Sequence, residues 1–181
     1  MVEMAMMLPF IVVLVLGMIE LSYALFDHHV VTKLSREGAN LISRNTTLQN
    51  AANVLQQMST QPVNFATKSK VIFSVIKRGA TIGTTNYNKD ILYQRYEFGS
   101  LAASSHLQTA GTGSFGPGPE FEANNSDGDG SLQLTNLPSA NMLTTGGLLY
   151  VAEIFTHHNL ITPFDHFGVN VPTTLYSIAY F

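Results

Sequence analysis

The chain has 181 residues, of which 45% are apolar and only 12% are charged, and its formal net charge at pH 7 is -3. This length suits one modest domain and a long helix rather than two cores, and the lack of a basic excess excludes the nucleic-acid-binding class. Cysteine is absent, which also excludes disulfides, thiolate zinc sites, covalent c-type haem and cysteine nucleophiles.

The first predicted element is an apolar helix over residues 4–26, with the sequence MAMMLPFIVVLVLGMIELSYALF. As a helix it measures about 34 Å, slightly more than the hydrocarbon core of a bilayer, so it can span a membrane. Three interpretations fit such a segment: a cleaved signal peptide, an ordinary membrane anchor and a pilin-type helix. A signal peptide is disfavoured because no basic region precedes the apolar run, and Glu3 stands where positive charge is expected.

The ordinary anchor conflicts with the positions of the basic residues, the first of which is Lys33, after the span. The positive-inside rule would then place the rest of the chain in the cytoplasm. The conflict disappears if a short basic leader has been removed from the front of the chain. We therefore expect Met1 to be a processed N-terminus, or to lie within a few residues of one.

Glu3 and Pro9 are unusual residues for an apolar helix. A carboxylate inside hydrocarbon costs about 2.5–3.5 kcal/mol on insertion scales. Glu3 lies near the helix N-terminus, whose dipole favours negative charge. In a filament, the Met1 amine of a neighbouring copy could neutralise it; otherwise it lies among the headgroups. Pro9 lacks an N–H donor and is predicted to kink or locally melt the helix.

Glu20 is a second acidic residue, about 25 Å further along the helix axis. One prediction places it in the interfacial zone of the bilayer beside Tyr23, where it needs no partner. The other pairs it, in an assembled bundle, with Lys33 or Arg36 of an axially shifted neighbour. Together, the residues predicted to set subunit register and assembly are Met1, Glu3, Pro9 and Glu20.

Four short motifs occur in order along this segment: Val2-Glu3, Leu8-Pro9-Phe10, Gly17-Met18-Ile19-Glu20 and Arg36-Glu37-Gly38-Ala39. Their order and spacing resemble those of the TadE-like pseudopilins of tight-adherence pilus systems. The absence of cysteine departs from many members of that family.

The resemblance implies cleavage of a precursor by prepilin peptidase and interaction with a pilus assembly machinery that a cytoplasmic ATPase drives. It also implies residence in the inner membrane before assembly and in an extracellular pilus at the cell surface afterwards.

The rest of the chain predicts a head with helices followed by strands. The first helix should continue to about Arg44, and a capping box over residues 46–49 should open a second helix that ends near Ser59. Strand patterns follow at residues 71–77, 91–98, 147–155 and 173–181.

The predicted fold class is α+β: a long N-terminal transmembrane and stalk α-helix, then a pilin-like head with a short helix and a roughly four-stranded antiparallel sheet. The predicted division is 1–44 for the apolar helix and stalk, and 45–181 for the head. The head contains a long insertion over 99–146, a length typical of a functional or mobile connection.

The clearest motif for a ligand lies in this insertion, where Asn125, Asp127, Asp129 and Ser131 stand at alternate positions and glycine occupies position six. This spacing resembles an EF-hand calcium loop, in which oxygen ligands at alternate positions converge on one cation. Position twelve is Asn136, where a bidentate Glu is normal. Calcium is therefore the one candidate cofactor, and a polar turn is the alternative interpretation.

The histidine pairs, at residues 28–29 and 157–158, are adjacent in sequence and so point in different directions, which disfavours metal binding. The chain contains no nucleophile elbow, phosphate-binding loop or evident pair of catalytic carboxylates, and we predict that it is not an enzyme. The leading functional hypothesis is a structural subunit that polymerises with copies of itself into an extracellular filament for adhesion. The alternatives are a minor priming pseudopilin and a monomeric membrane-anchored adhesin or binding protein.

Overall fold

The computed structural model describes residues 2–137, 143–162 and 173–181, with side chains from Met6 onward. The fold is α+β, as predicted. Its elements in chain order are the helices α1 (Val2–Ser43) and α2 (Leu48–Met58), the strands β1 (Ser69–Arg78) and β2 (Asp90–Gly99), a single 3-10 turn (Gly130–Leu132), and the strands β3 (Leu148–His157) and β4 (Thr174–Tyr180).

The four strands form one antiparallel sheet in the order β2-β1-β3-β4. The central strand β1 pairs on both sides; Val71, for example, lies opposite Phe98 of β2 and Ile154 of β3. The predicted four-stranded antiparallel sheet is therefore confirmed. Because β2 and β3 flank β1, the connection between them has to cross one face of the sheet.

The helices cover the other face of the sheet. Alternate residues of β1 point towards them, and Val71 and Phe73 are fully buried there. The second half of α1 and the apolar side of α2 complete this core, whose buried members are Val31, Leu34, Ala39, Ile42, Leu48, Ala51, Ala52, Leu55, Val63, Phe65, Val71, Phe73, Val75, Ala152, Ile154 and Ala179. The arrangement is a helical layer on a sheet, as α+β domains require to bury their apolar faces.

The long insertion covers the sheet face opposite the helices. Leu107 from the insertion joins Ile76, Leu149 and Val151 of the sheet in a second, smaller buried cluster. At the outer edge of β2, Glu122 and Gln133 of the insertion form β-bridges with Gln94 and Ile91 of that strand. Both faces of the sheet are thus packed, and the insertion is a structural layer of the head.

Gly38 sets how closely α1 approaches the sheet. A Cβ atom placed on it would lie 3.0 Å from Leu55 Cδ1, 3.1 Å from Phe73 Cε1 and 3.3 Å from Ala152 Cβ. These distances leave no room for a larger side chain, because interiors are close-packed. The small residue in the Arg-Glu-Gly-Ala motif is therefore explained by helix-to-sheet packing.

Two local predictions can be compared with the helix ends and interior. The N-cap of α2 is Thr47 and not Thr46, the residue that the predicted capping box over 46–49 places there. The Thr47 side chain accepts a hydrogen bond from the Asn50 backbone N–H at 3.2 Å, as an N-cap threonine is expected to do. Pro9 lies inside α1, which continues through it. The predicted local melting at Pro9 is absent, consistent with the tolerance of apolar spanning helices for proline.

Candidate functional site

The first half of α1, residues 6–26, is an exposed apolar surface that we call the apolar half. Apart from the half-buried Leu16, its large apolar side chains are 40% to 78% exposed: Met6, Met7, Leu8, Phe10, Ile11, Val12, Val13, Leu14, Val15, Met18, Ile19, Leu21, Tyr23, Leu25 and Phe26. Among the described residues, α1 is the one helix that is long and apolar enough to cross a membrane, a test of length and composition that a signal sequence also passes. An apolar patch this large on a folded chain marks a contact with lipid or with protein.

Residues 27–43, which we call the packed half, continue the same helix on the head. Val31 is fully buried and Leu34 is 5% exposed, whereas Lys33 and Arg36 point to solvent. One side of the packed half therefore meets the sheet and the other is hydrated, which is the pattern of an amphipathic surface helix.

Glu20 lies in the apolar half, yet it is only 6% exposed, because a turn of the head folds against it. The turn, residues 158–162, follows β3 directly. Glu20 Oε2 accepts hydrogen bonds from the Thr162 backbone N–H at 2.9 Å, the Thr162 hydroxyl at 2.7 Å and the Ile161 backbone N–H at 3.1 Å. The carboxylate thus has several donors from its own chain, which offset the cost of removing it from water.

His158 connects Glu20 to a second carboxylate, that of Asp27. Its Nε2 lies 3.2 Å from Glu20 Oε1 and its Nδ1 lies 2.6 Å from Asp27 Oδ2, and the ring is 2% exposed. Each ring nitrogen of His158 therefore has one carboxylate oxygen within hydrogen-bonding distance, so the imidazole joins the two acidic side chains. We call these five residues, Glu20, Asp27, His158, Ile161 and Thr162, the Glu20 clasp.

The clasp includes residues that sequence reasoning did not select. His158 was considered only for metal binding with its neighbour His157, which is half-buried on the opposite side of the strand end. The available signal was Glu20 itself, since a carboxylate in an apolar helix needs a partner. That signal did not identify the partner, which lies 138 residues away in the chain.

In the part of the chain that it describes, the structure shows no assembly contact for the other residues predicted to set subunit register, Met1, Glu3 and Pro9. Met1 is outside the described residues, and Glu3 lies in α1 with its side chain outside them. Pro9 is in the exposed apolar half. The role of all three in assembly, and of Glu20 in intersubunit register, stays a prediction.

The loop predicted to bind calcium forms a compact polar turn. Asn125 Oδ1 accepts from the Gly128 backbone N–H at 3.0 Å, Asp129 Oδ1 accepts from the Ser131 backbone N–H at 2.9 Å, and Asp127 Oδ2 accepts from the Thr81 hydroxyl at 2.9 Å. The two bonds from Ser131 hold the pKa of Asp129 below its ordinary value. No group of three or more His, Asp or Glu side chains in residues 2–137, 143–162 and 173–181 is placed to hold a metal ion. Calcium binding stays a prediction.

Asn86 fastens this turn to the β1–β2 loop. It is fully buried, and its side-chain amide donates to the carbonyls of Ser126 and Asp129, each at 2.8 Å. Its backbone N–H donates to the Asp127 carbonyl at 3.1 Å. A buried amide with these bonds fixes the loop in one position.

A second buried carboxylate, Glu153 of β3, holds the insertion on the sheet. Its Oε1 accepts from the His106 backbone N–H at 2.8 Å and from the Tyr176 hydroxyl at 3.0 Å, and its Oε2 accepts from the Ser105 hydroxyl. Burial, reinforced by Glu153, raises the pKa of Tyr176. Burial also lowers the pKa of the nearby Arg95, against the opposing effect of Glu153. Each oxygen of this carboxylate has a donor, so the cluster has the character of a structural anchor.

Residues 1–40 match the family model described as TadE-like protein. No curated protein and no solved structure matches the chain. The matched segment holds the apolar half, Glu20 and Gly38, so the resemblance inferred from the motifs is confirmed there.

Proposed function

We propose that this chain, TadE-like over its first 40 residues, is a pilin-like subunit that polymerises into an extracellular filament through the apolar half of α1. The observation that carries the proposal is the contrast between a closed head and an uncovered apolar helix that leaves it. Phe10, for example, is 78% exposed, whereas Val31 on the same helix is fully buried.

The driving force would change with the surroundings of the subunit. In water, burial of apolar surface contributes about 25 cal/mol per Å². In a membrane that term is already satisfied by lipid, so exchange of lipid for helices of other copies relies on close packing and on hydrogen bonds. Helices would then form the filament core and heads its outer wall, with adhesion as the biological outcome.

In the proposed route, the subunit passes from the membrane into the filament. The subunit resides in the inner membrane, prepilin peptidase processes its front, and the pilus assembly machinery moves it into a pilus at the cell surface. Its role is structural rather than catalytic. Calcium, if bound at residues 125–131, would stiffen the insertion and take no part in a reaction.

Electron microscopy of the purified full chain tests the proposal. The chain is dispersed in detergent, the detergent is removed, and the sample is compared with the Val13→Lys variant, which places a charge in the apolar half. We expect ordered fibres from the native sequence and none from the variant. Fibres only in the presence of another pilin would support the priming role instead, and single lipid-bound particles under all conditions would exclude both pilin roles.

A further inference from the structure

The 158–162 turn lies alongside the apolar half of α1 and not beyond its end. Its hydrogen bonds to Glu20 fix its level on the helix axis. Glu20 precedes Phe26, the last residue of the apolar run, by a rise of about 9 Å at 1.5 Å per residue. A membrane that covers the apolar half therefore reaches the level of this turn.

The exposed residues of the turn are Asn159, which is polar, and Ile161, which is apolar. Ile161 is 56% exposed and Leu160 is half-buried. On the helix, Ile19 and Tyr23 stand one residue before and three residues after Glu20, and they are 40% and 50% exposed. The turn and the helix thus both expose apolar side chains near Glu20, together with the polar Asn159 and a tyrosine, the residue typical of membrane interfaces.

The other polar side chains of the turn, those of His158 and Thr162, are buried. The backbone N–H groups of Ile161 and Thr162 donate to Glu20, and His158 lies between Glu20 and Asp27. A backbone donor left open at the edge of the hydrocarbon would cost several kcal/mol. Because the clasp satisfies these groups, the turn can enter the interfacial zone without that cost.

We infer that the 158–162 turn is a second membrane contact of the subunit before assembly, with Ile161 seated in the interfacial zone of a phospholipid bilayer. The inference rests on the membrane insertion that the proposed function includes. It makes the head a surface-bound unit whose distance from the bilayer is fixed by the clasp. The alternative is that Ile161 contacts a second copy of the chain, and the test below distinguishes that contact from one with lipid.

The chain has no tryptophan, so single tryptophan reporters give an unmixed signal. Three full-length variants are placed in phosphatidylcholine vesicles: Ile161→Trp in the turn, Phe10→Trp within the apolar half, and Ile82→Trp in the β1–β2 loop, where the native side chain is 80% exposed. The vesicles carry a nitroxide label either near the glycerol or near the end of the acyl chain.

We expect the emission of Ile161→Trp to fall strongly with the shallow label and little with the deep one. Ile82→Trp should keep its emission with both labels, and Phe10→Trp should lose it with the deep label. Loss for Phe10→Trp without any loss for Ile161→Trp would overturn the inference alone, as would shielding of Ile161→Trp that occurs only in fibres. An unquenched Phe10→Trp would overturn membrane insertion, and this inference with it.

Discussion

Apart from the buried Glu20, residues 6–26 of α1 are almost all apolar and mostly exposed, whereas residues 27–43 are apolar on one side and buried there against the sheet. Both regions have the same backbone structure in one continuous helix. The difference shows that intrachain burial is not what the first region is built for. An amphipathic pattern is completed by its own head, and an all-round apolar pattern needs surroundings that are apolar on every side.

The junction between the halves gives the largest expected effect on stability. His158→Ala removes the group between Glu20 and Asp27 and leaves both carboxylates without their shared partner. Leaving a buried polar group without its hydrogen-bond partner costs about 1–3 kcal/mol, and more for a charged group. Because His158 contacts two carboxylates and Glu20 keeps its Thr162 donors, we expect a loss of about 3 kcal/mol in the free energy of unfolding. Chemical denaturation of the full chain in detergent measures it.

The neighbouring histidine supplies the control for this experiment. His157→Ala changes a half-buried side chain outside the clasp, so its effect should stay within about 0.5 kcal/mol. Equal losses for the two variants would mean that the clasp does not hold the halves of α1 in one unit.

A charge in the apolar half should separate insertion from folding. Val13→Lys places an ammonium in an apolar span, at a cost of about 2.5–3.5 kcal/mol to insertion. Because Val13 is 55% exposed and outside the core, the unfolding of the head should be unchanged. Vesicle flotation measures the first effect and thermal unfolding the second, with Val13→Leu as the apolar control. Unimpaired flotation of the lysine variant would contradict the assigned role of this half.

In the packed half, a larger side chain should destabilise the fold of the head, whereas Val13→Lys in the apolar half should leave it unchanged. Gly38→Leu forces a side chain into the contact with Leu55 and Phe73, and overpacking of this kind costs about 1–3 kcal/mol. Asn40→Leu, two residues further on and about 200° around the helix, adds the same side chain away from that contact. Thermal unfolding should show a loss for the first variant only. A loss of equal size at Asn40 would mean that helix approach is not limited at Gly38.

The smallest predicted effect compares one serine from each half. Ser35 Oγ and Ser177 Oγ of β4 are 2.9 Å apart and buried, so Ser35→Ala leaves a partner unsatisfied and should cost about 1 kcal/mol. Ser22 Oγ donates to the Met18 carbonyl of its own helix and is exposed. Ser22→Ala should therefore stay within about 0.5 kcal/mol, and a larger loss there than at Ser35 would reverse the comparison.

The helices and strands could be predicted from the sequence because each is indicated by a local pattern of residues. The apolar run, the Thr47 region and the four apolar or alternating stretches each carry a period that one type of structure produces. The strand predicted at 71–77, for instance, extends over Ser69–Arg78. The predicted strand is shorter than the observed one at both ends, because the apolar sequence pattern that indicates it does not extend to the polar end residues.

The hydrogen-bonded clusters around Glu20 and Glu153 could not be predicted from the sequence, because each joins distant parts of the chain. Glu20 and His158 are 138 residues apart, and Ser105 and Glu153 are 48 apart. Nothing within a short window distinguishes a buried Glu153 from a solvated one, since the choice depends on whether the insertion crosses that face of the sheet. The apolar half of the candidate site was predicted, but its clasp was not. Sequence reasoning placed Glu20 either at the membrane interface without a partner or opposite Lys33 or Arg36 of a neighbouring copy, whereas its hydrogen bonds come from His158 and Thr162 of the same chain.

The length over which α1 is fastened has a mechanical consequence. Its contacts with the head run from Glu20, through Ser35 and Gly38, to Ile42, a rise of about 33 Å. A force applied to the N-terminal end of α1 is therefore distributed over many side-chain contacts along the helix axis. In the proposed filament, tension would therefore pass between the α1 helices of successive subunits while each head stays folded.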